Sequence, residues 1–414
     1  MSDLTLPLNS YELSAQAVGA RLRWARRQGR SAWLWPEISA QDWRRALHSI
    51  QYVCSGILAG DGCQRLAGEP GALGLACYTS GMGPLLGWWH AQGCLEASAE
   101  VSDLLTLHLE HNRLRSAEMR EASSSMTQAL ADQGIDVLVL KGADTAERYF
   151  PDPATRPASD IDLLVRPGQA VDAEHVLRAA GYRLAKRSLH ESDWRRSDVS
   201  EQPRSLMFVH ARDPWSIDLH TSLNVELGAG LEGLRLDDAK PFENFHSGDS
   251  PGGRGLSQPL LLMHLAAHAS TGLHNLTLLR LVELQFVIRK DQARGQLDWD
   301  RFLDSCRQVR ALGAVWPALK LTEDLASGTV PNGVLRECSA AAPTRLREVV
   351  TALTPATAQR IGGTSIREHF MWTSGARQVL RQLGADLLPG RSWKDIRSAY
   401  TRRFWQVARG SISR

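Results

Sequence analysis

A pair of aspartates separated by one residue is the part of this sequence best suited to chemistry. Asp160 and Asp162 flank Ile161 within an apolar run at 160–165 that has the length and composition of a strand. Side chains alternate across a strand, so both carboxylates lie on one face. Adjacent carboxylates repel each other unless a cation lies between them, and two-metal phosphoryl-transfer sites are built from such pairs. The spacing favours a divalent-cation site, although an isolated Asp-x-Asp triplet often arises by chance.

A second strand must precede these aspartates and end in a basic turn. Residues 135–140 are apolar and β-branched, and they lead through Lys141 and Gly142 into a segment of helical composition at 144–149. A glycine lets backbone N–H groups approach an anion, a helix N-terminus carries partial positive charge, and a lysine adds a full charge. This fragment could therefore bind phosphate. Taken alone, it fits better with a simple chain turn and a solvated lysine.

Two further strand-like runs, 205–211 and 215–221, lie downstream and are joined by Arg-Asp-Pro at 212–214. Asp-Pro favours a tight turn, so the two runs predict a hairpin. In the second run, Asp218 stands between two aliphatic residues, and a carboxylate in such a strand needs a partner or a metal. An isolated aspartate of this kind is more often hydrogen-bonded or on an edge strand. The ordered series of Lys-Gly, Asp-x-Asp and a later lone Asp is much less expected by chance.

The three segments in this order resemble the nucleotidyltransferase superfamily related to DNA polymerase β and the aminoglycoside nucleotidyltransferases. The matching motifs are VLKG at 139–142, RPASDIDLLV at 156–165 and IDLH at 217–220. More narrowly, the chain is similar to a poorly characterised bacterial family of stand-alone nucleotidyltransferases, sometimes encoded near peptide natural-product biosynthesis genes. This resemblance covers roughly residues 80–335, and its outlying parts are a long helix, a histidine-bearing helix and two tail motifs at 104–130, 261–268, 297–300 and 330–331.

The resemblance implies a metal-dependent enzyme whose catalytic residues and metal ligands are Asp160, Asp162 and Asp218. In that reading the first two aspartates bind Mg²⁺, or Mn²⁺, bridging the triphosphate of an NTP. Asp218 completes the second metal site and helps to deprotonate the acceptor hydroxyl.

Two departures from the superfamily pattern stand out. This chain has Gly142-Ala143 where Gly-Ser is usual, so a hydroxyl contact to phosphate is missing, and the segment 142–160 is longer than in polymerase-like members.

Side chains near the aspartates complete the predicted site. Arg156, in the loop 151–157, suits a bidentate contact to phosphate, or else it pairs with a nearby carboxylate. Ser159 could bind phosphate, but capping the strand is favoured. His220 shares a strand face with Asp218, so it contacts substrate, orients Asp218, or is satisfied by a neighbouring carbonyl. The predicted nucleotide-binding residues are Lys141, Gly142, Arg156, Ser159 and His220.

His264 and His268 lie four residues apart on a predicted helix, a spacing that could bind Zn²⁺ if His274 supplied a third ligand. A metalloprotease motif is excluded, because Leu265 follows the first histidine where a glutamate is required. Packing or lining the cleft is the favoured role for this pair.

Composition narrows the class of protein. The 48 basic and 45 acidic residues give a net charge of +3, too balanced for a basic surface that binds nucleic acid as a whole. Arginine clusters at 21–30 and 402–414 keep an RNA acceptor open as a hypothesis. The six cysteines form no Cys-x-x-Cys pair, the start lacks a secretion signal, and no apolar run reaches membrane-span length. We therefore expect a cytoplasmic protein without membrane insertion.

The elements that must position the site predict an α+β fold. A small mixed-sheet nucleotidyltransferase core is flanked by N-terminal and C-terminal helical regions, so the chain is predominantly helical overall. The predicted divisions are an N-terminal helical region at 1–133, an α/β core at 134–246 and a C-terminal helical domain at 256–414. Predicted helices cover 13–59, 101–133 and 171–180, and the predicted irregular segments are 60–93, 247–255, 328–333 and 388–390.

The leading functional hypothesis is a Mg²⁺-dependent nucleotidyltransferase that moves a nucleoside monophosphate from an NTP, such as ATP, to a hydroxyl or phosphate of a small molecule or peptide. One alternative, motivated by Ala143, is a catalytically silent binding module with the same fold. Another is a protein-modifying or RNA-modifying nucleotidyltransferase, although a nucleic-acid acceptor is not favoured. The sequence leaves the base of the NTP, the acceptor and the oligomeric state open.

Overall fold

The structure is a computed structural model that describes residues 38–188, 190–199, 210–228, 231–247, 253–273, 276–359 and 366–387. Several predicted features lie outside these residues: 13–37, the arginine clusters at 21–30 and 402–414, most of the strand-like run at 205–211, His274 and the break at 388–390. Within the described ranges, no helix combines the length and the apolar character needed to cross a bilayer.

The chain begins with a layer of helices. Their bounds are α1 Ala40–Ala59, α2 Pro70–Ser80, α3 Gly83–Ala91 and α4 Ala99–Asp132, and the short parallel strands β1 Gln64–Arg65 and β2 Leu95–Glu96 pair beside them. The Ser39 side chain caps α1 by accepting the Asp42 N–H, and Gly60 ends the helix in the left-handed region at φ 83°. The segment at 60–93, expected to be irregular, contains α2 and α3, whose glycines allow close helix packing. A Cβ at Gly87 would lie 2.4 Å from the Leu105 carbonyl oxygen on α4.

A mixed seven-stranded sheet follows, with the order β5-β6-β7-β4-β3-β9-β8. The strands are β3 Val137–Val139, β4 Asp160–Val165, β5 Tyr182–Arg187, β6 Glu191–Arg196, β7 Ser216–His220, β8 Phe245–Ser247 and β9 Arg254–Leu256. Strand β4 runs antiparallel to β3 and parallel to β7, while β6 runs antiparallel to β7. Helix α5, Lys141–Tyr149, follows β3, and α6, Ala170–Ala179, follows β4 and ends before Gly181 at φ 86°. The predicted loop at 247–255 joins β8 and β9 of this sheet.

The run at 215–221 forms β7, which pairs with strands other than its predicted hairpin partner, and most of that partner, 205–211, lies outside the described residues. Strand β7 is paired along its whole length with β4 on one side and β6 on the other. Its antiparallel neighbour, β6, reads Glu-Ser-Asp-Trp-Arg-Arg and lacks the apolar composition expected of a central strand. It is held instead by Trp194, which is fully buried on the face opposite Glu191, Asp193 and Arg195. One large aromatic residue thus anchors a strand that hydrophobic patterning alone would miss.

Helices complete the chain after the sheet. Their bounds are α7 Leu260–Thr271, α8 Leu278–Ala293, α9 Trp299–Gln308, α10 Leu312–Leu325, α11 Asn332–Ala341, α12 Thr344–Thr351, α13 Pro355–Ala358, α14 Ile366–His369 and α15 Ala376–Leu387. Helix α7 is apolar on nearly every side and lies at the centre of the larger hydrophobic core. The smaller core lies between the sheet, α4 and α6. The fold is therefore α+β and predominantly helical, as predicted.

Helix α4 reaches both cores, with Leu105 in the larger one and Leu130 in the smaller one. Between these ends, the buried Arg115 donates from Nε to the carbonyl oxygen of Ala158 at 3.3 Å. Its two terminal nitrogens donate to the carbonyls of Asp213 and Pro214, the latter at 3.2 Å. One side chain thus binds both loops that lead into β4 and β7.

Candidate active site

The three predicted aspartates come together at one end of two neighbouring parallel strands. Asp162 on β4 lies directly opposite Asp218 on β7, and Asp160 lies opposite Ser216. One carboxylate oxygen from each of the three aspartates lies within 4.8 Å of the others. An all-oxygen carboxylate set suits a hard cation such as Mg²⁺ or Mn²⁺ rather than a thiolate-bound metal.

Asp162 is the most enclosed of the three, at 2% exposure. Its Oδ1 lies 2.9 Å from the Lys141 ammonium and 2.9 Å from His220 Nε2. Burial alone would raise the pKa of Asp162, but the charge of Lys141 and the hydrogen bond to His220 outweigh burial and hold the pKa well below its usual range. Asp162 is therefore an ionised carboxylate with one oxygen fixed by two donors and the other free for a cation.

The other two aspartates behave in the opposite way. Burial and repulsion by Asp162 raise the pKa of Asp160. Burial, together with the charges of Asp160 and Asp162, raises the pKa of Asp218 to about 7. Each group resists ionisation because a negative charge is already present beside it. A divalent cation between the carboxylates would remove this penalty, which is the electrostatic signature expected of a metal site.

The Lys-Gly turn lies next to the first aspartate. Gly142 has φ 36° and ψ −88°, a conformation that favours glycine, and it sits inside the first turn of α5 directly after β3. A Cβ at this position would lie 3.5 Å from Arg156 Nη1 and 3.9 Å from the Asp160 carbonyl oxygen. Ala143 packs against the smaller core and brings no hydroxyl to the turn.

Arg156 makes a buried ion pair, the second of its two predicted roles. Its Nε and Nη2 lie 2.7 and 3.0 Å from the two carboxylate oxygens of Glu283 on α8, and Nη1 donates to the Pro157 carbonyl at 3.3 Å. Glu283 also accepts a hydrogen bond from Thr145 on α5. The guanidinium is thus engaged on all sides and fastens the loop before β4 to α8.

Ser159 lies at the rim of the site with an exposed side chain, and its carbonyl accepts the Ser216 N–H at 3.3 Å, joining the starts of β4 and β7. Of the roles left open for His220, orienting Asp218 is not the one seen, because His220 Nε2 lies 2.9 Å from Asp162 Oδ1. Its other ring nitrogen, Nδ1, lies 3.9 Å from Glu191 Oε2.

The histidine pair of α7 lies behind the lysine. His268 Nε2 is 3.5 Å from Lys141 Nζ, and the His264 ring centroid is 6.2 Å from that of His268. Burial and the charge of Lys141 lower the pKa of His264 to about 3, so the ring is neutral. Within the described residues no third zinc ligand joins the pair, whereas His268 lines the cavity beside the aspartates.

That cavity has a volume of about 150 Å³ and lies between the Lys-Gly turn, the aspartates and helices α7 and α8. It is bounded by Lys141, Gly142, Arg156, Ser159, Asp160, Asp162, His268, Arg280 and Glu283, with aliphatic residues of α7 and α8 behind them. The structure therefore gathers on one cavity every predicted site residue except Asp218 and His220, which lie on the neighbouring strand.

Sequence reasoning missed four charged residues near the site. Arg280 and Glu283 come from α8, while Glu191 and Asp193 lie on β6, opposite His220 and Asp218. A signal for the first two does exist, because charges three residues apart in the mainly apolar, buried first half of α8 require partners. Strand β6 carries no comparable signal, because its polar composition hides it as a strand.

A family model described as uncharacterised nucleotidyltransferase matches residues 84–327, more than half of the chain. A solved structure, an antigenic nucleotidyltransferase-like protein from Paracoccidioides brasiliensis, aligns with 47% of this chain and 97% of its own, at 14% identity and a TM-score of 0.26. No curated protein sequence matches this chain. The matched region contains the aspartates of β4 and β7 together with α7 and α8, and the chain belongs to this family of uncharacterised nucleotidyltransferases.

Proposed function

We propose that the protein is a Mg²⁺-dependent nucleotidyltransferase that moves a nucleoside monophosphate from an NTP, ATP among them, to an acceptor hydroxyl or phosphate. The observation that carries this proposal is the trio of carboxylates on β4 and β7, facing a cavity bounded by a basic glycine turn. Two of the three carboxylates resist ionisation beside the third, so the site favours a divalent cation. Nucleotidyl transfer requires positioning and charge neutralisation more than covalent help from the protein.

In this proposal each residue of the site has a separate role in the transfer reaction. Asp160, Asp162 and Asp218 would hold Mg²⁺, which when bound would neutralise the charge that develops on the transferred phosphoryl group. Lys141 and His220 keep Asp162 ionised and fix its orientation. The acceptor oxygen forms a bond to the α-phosphorus while the bond to the bridging oxygen breaks, and pyrophosphate leaves. Asp218 takes the proton from the acceptor.

The face of β6 supports a small-molecule or peptide acceptor. Glu191 and Asp193 lie opposite His220 and Asp218 on the next strand, so they extend the row of acids that Asp162 and Asp218 begin. Glu191 is well exposed, while Asp193 is paired with Arg195 at 3.0 Å. A row of this kind repels a phosphate backbone, so a nucleic-acid acceptor is disfavoured. All six cysteines are free, in keeping with a cytoplasmic location.

The test is metal-dependent turnover. The wild type is incubated with each NTP, Mg²⁺ and cell extract, and the release of pyrophosphate and the destination of labelled nucleotide are followed. Asp160→Asn should lower the rate by at least about 10²- to 10³-fold, since it removes one electrostatic anchor of the transition state. Asp172→Asn, an exposed aspartate of α6, is the matched control and should leave the rate unchanged. Full turnover in Asp160→Asn would overturn the proposal. Labelled nucleotide on protein or tRNA would show that the acceptor is a macromolecule rather than a small molecule or peptide.

A catalytically silent binding module is the second candidate, and the observation that favours it is Ala143, which leaves the turn without a phosphate-binding hydroxyl. This candidate predicts nucleotide binding with no release of pyrophosphate. Ala143→Ser separates the two, because a restored hydroxyl should tighten NTP binding in both but raise turnover only in an active enzyme.

A further inference from the structure

One cation in the cavity, Arg280, forms no ion pair with a carboxylate of the described residues. Arg280 lies on α8, one turn before Glu283, and lines the same cavity as Gly142 and the aspartates. Arg156 takes both carboxylate oxygens of Glu283. Among the residues that the structure describes, no carboxylate lies within ion-pair distance of the Arg280 guanidinium. Burial lowers the pKa of Arg280, although the charges of Glu283, Asp160 and Asp162 partly oppose the effect. A buried guanidinium without an ion-pair partner is costly, and binding of an anionic ligand would remove that cost.

The other two positively charged side chains of the cavity already have partners. The Lys141 ammonium lies 2.9 Å from Asp162 and 3.5 Å from His268. Arg156 is held by Glu283 and by the Pro157 carbonyl. Arg280 is therefore the cation best placed to meet a ligand that carries charge of its own.

The size of the cavity limits what part of a substrate it can hold. Its volume of about 150 Å³ is well below the roughly 300–1,000 Å³ typical of pockets that enclose a whole small ligand. The lining beside the aspartates is polar and includes the Gly142 turn, whose backbone suits phosphate oxygens. A phosphate group or a pair of them fits this space, and a base and sugar do not.

We propose that Arg280 binds the β- and γ-phosphates of the NTP, and thus the pyrophosphate leaving group, through its planar guanidinium. The inference rests on the proposed function and assigns its leaving-group site. Guanidinium groups contact phosphate oxygens in a bidentate manner, which compensates here for the hydroxyl that Ala143 lacks. Arg156 and Glu283 act as positioning residues, because their ion pair fixes α8 against the loop before β4.

The test compares two fragments of the substrate. Binding of inorganic pyrophosphate with Mg²⁺, and separately of nucleoside monophosphates, is measured by calorimetry. Arg280→Ala should weaken pyrophosphate binding by about 10- to 100-fold, the range of a charge-assisted hydrogen-bonded contact, and leave monophosphate binding unchanged. Arg280→Lys should restore part of the affinity. Arg301→Ala, an exposed arginine of α9, is the matched control and should bind as the wild type does.

The outcomes separate this inference from the proposed function. Unchanged pyrophosphate affinity in Arg280→Ala, an equal loss for both fragments, or no pyrophosphate binding by the wild type would overturn the role of Arg280. Pyrophosphate binding that depends on Arg280 in a protein without transfer activity would uphold the role and remove the proposed function. Transfer activity together with pyrophosphate binding that does not depend on Arg280 would uphold the proposed function and overturn the role of Arg280.

Discussion

Removing the charge of Asp218, one of the three proposed metal ligands, should make the metal-free protein more stable. In the folded state burial, Asp160 and Asp162 raise the pKa of Asp218 from 3.8 to about 7. Protonated Asp218 therefore stabilises the fold, and this contribution is complete below about pH 4 and lost as the pH rises through about 7. Asp218→Asn keeps the shape of the side chain without the charge, and its amide oxygen can still accept the hydrogen bond that Ser216 Oγ donates to Oδ1 at 3.3 Å. Above neutrality the variant should unfold later than the wild type.

The size of the gain follows from the pKa. A rise of about three pH units corresponds to roughly 4 kcal/mol at about 1.4 kcal/mol per unit. Asp218 is only partly buried, and solvent screening reduces the figure to roughly 2 kcal/mol. With an unfolding entropy of about 2 cal/mol/K per residue, a chain of 414 residues should gain about 2 °C in Tm.

The assay is thermal and urea unfolding in EDTA at about pH 8.5 and about pH 3.5, where Asp218 is protonated in the folded state and largely protonated in the unfolded state as well. The two proteins should differ at the higher pH and unfold together at the lower one. Asp193→Asn is the matched control: it lies opposite Asp218 but is ion-paired with Arg195 at 3.0 Å, so its substitution should bring no gain. Added Mg²⁺ should stabilise the wild type at high pH and have little effect on Asp218→Asn. A variant that is less stable at high pH, or a difference that does not depend on pH, would refute the reasoning.

Three further substitutions test the surroundings of the site. Arg156→Met leaves Glu283 buried without its ion-pair partner and should lower the free energy of urea unfolding by about 3–5 kcal/mol. Changing Glu283 to Met as well should recover part of that stability. Losses that simply add would argue against the ion pair. Lys141→Met should raise the pKa of Asp162 and move Mg²⁺ binding to higher pH, so an unaltered pH profile in a Mg²⁺ titration would count against the lysine. Gly142→Ala has room for its methyl group, yet the φ of 36° should cost about 1–3 kcal/mol of stability, and a neutral result in urea unfolding would show that the turn can relax.

Local sequence patterns predicted the strands that carry the carboxylates. The alternation of Asp160 and Asp162 with buried aliphatic residues assigns β4, and the same alternation around Asp218 assigns β7. Strong patterns of this kind survive folding because each residue on one face must be buried while those on the other face need not be. The turn at Gly142 follows from the same local logic, since few other residues tolerate its φ.

Long-range contacts were not predictable from the sequence. The partner of Arg156 is 127 positions away, on a helix whose role no local motif indicates. Arg280 and Glu283 come close to the aspartates only when α8 packs against the loop before β4. Strand β6 escaped notice because most of its residues are polar and only Trp194 strongly anchors it. In each case tertiary packing, rather than periodicity, decides the structure.

The hydrogen bonds of Arg115 determine what a substitution at this position should do to the protein. A single guanidinium on α4 fastens the loops that deliver β4 and β7, at Ala158 and at Asp213 and Pro214. The separation of carboxylates on two different strands thus depends on a residue that contacts neither the cation nor the substrate. A genetic screen for loss of function should return changes at this helix position, and biochemically they should look like lost metal affinity rather than like a broken helix.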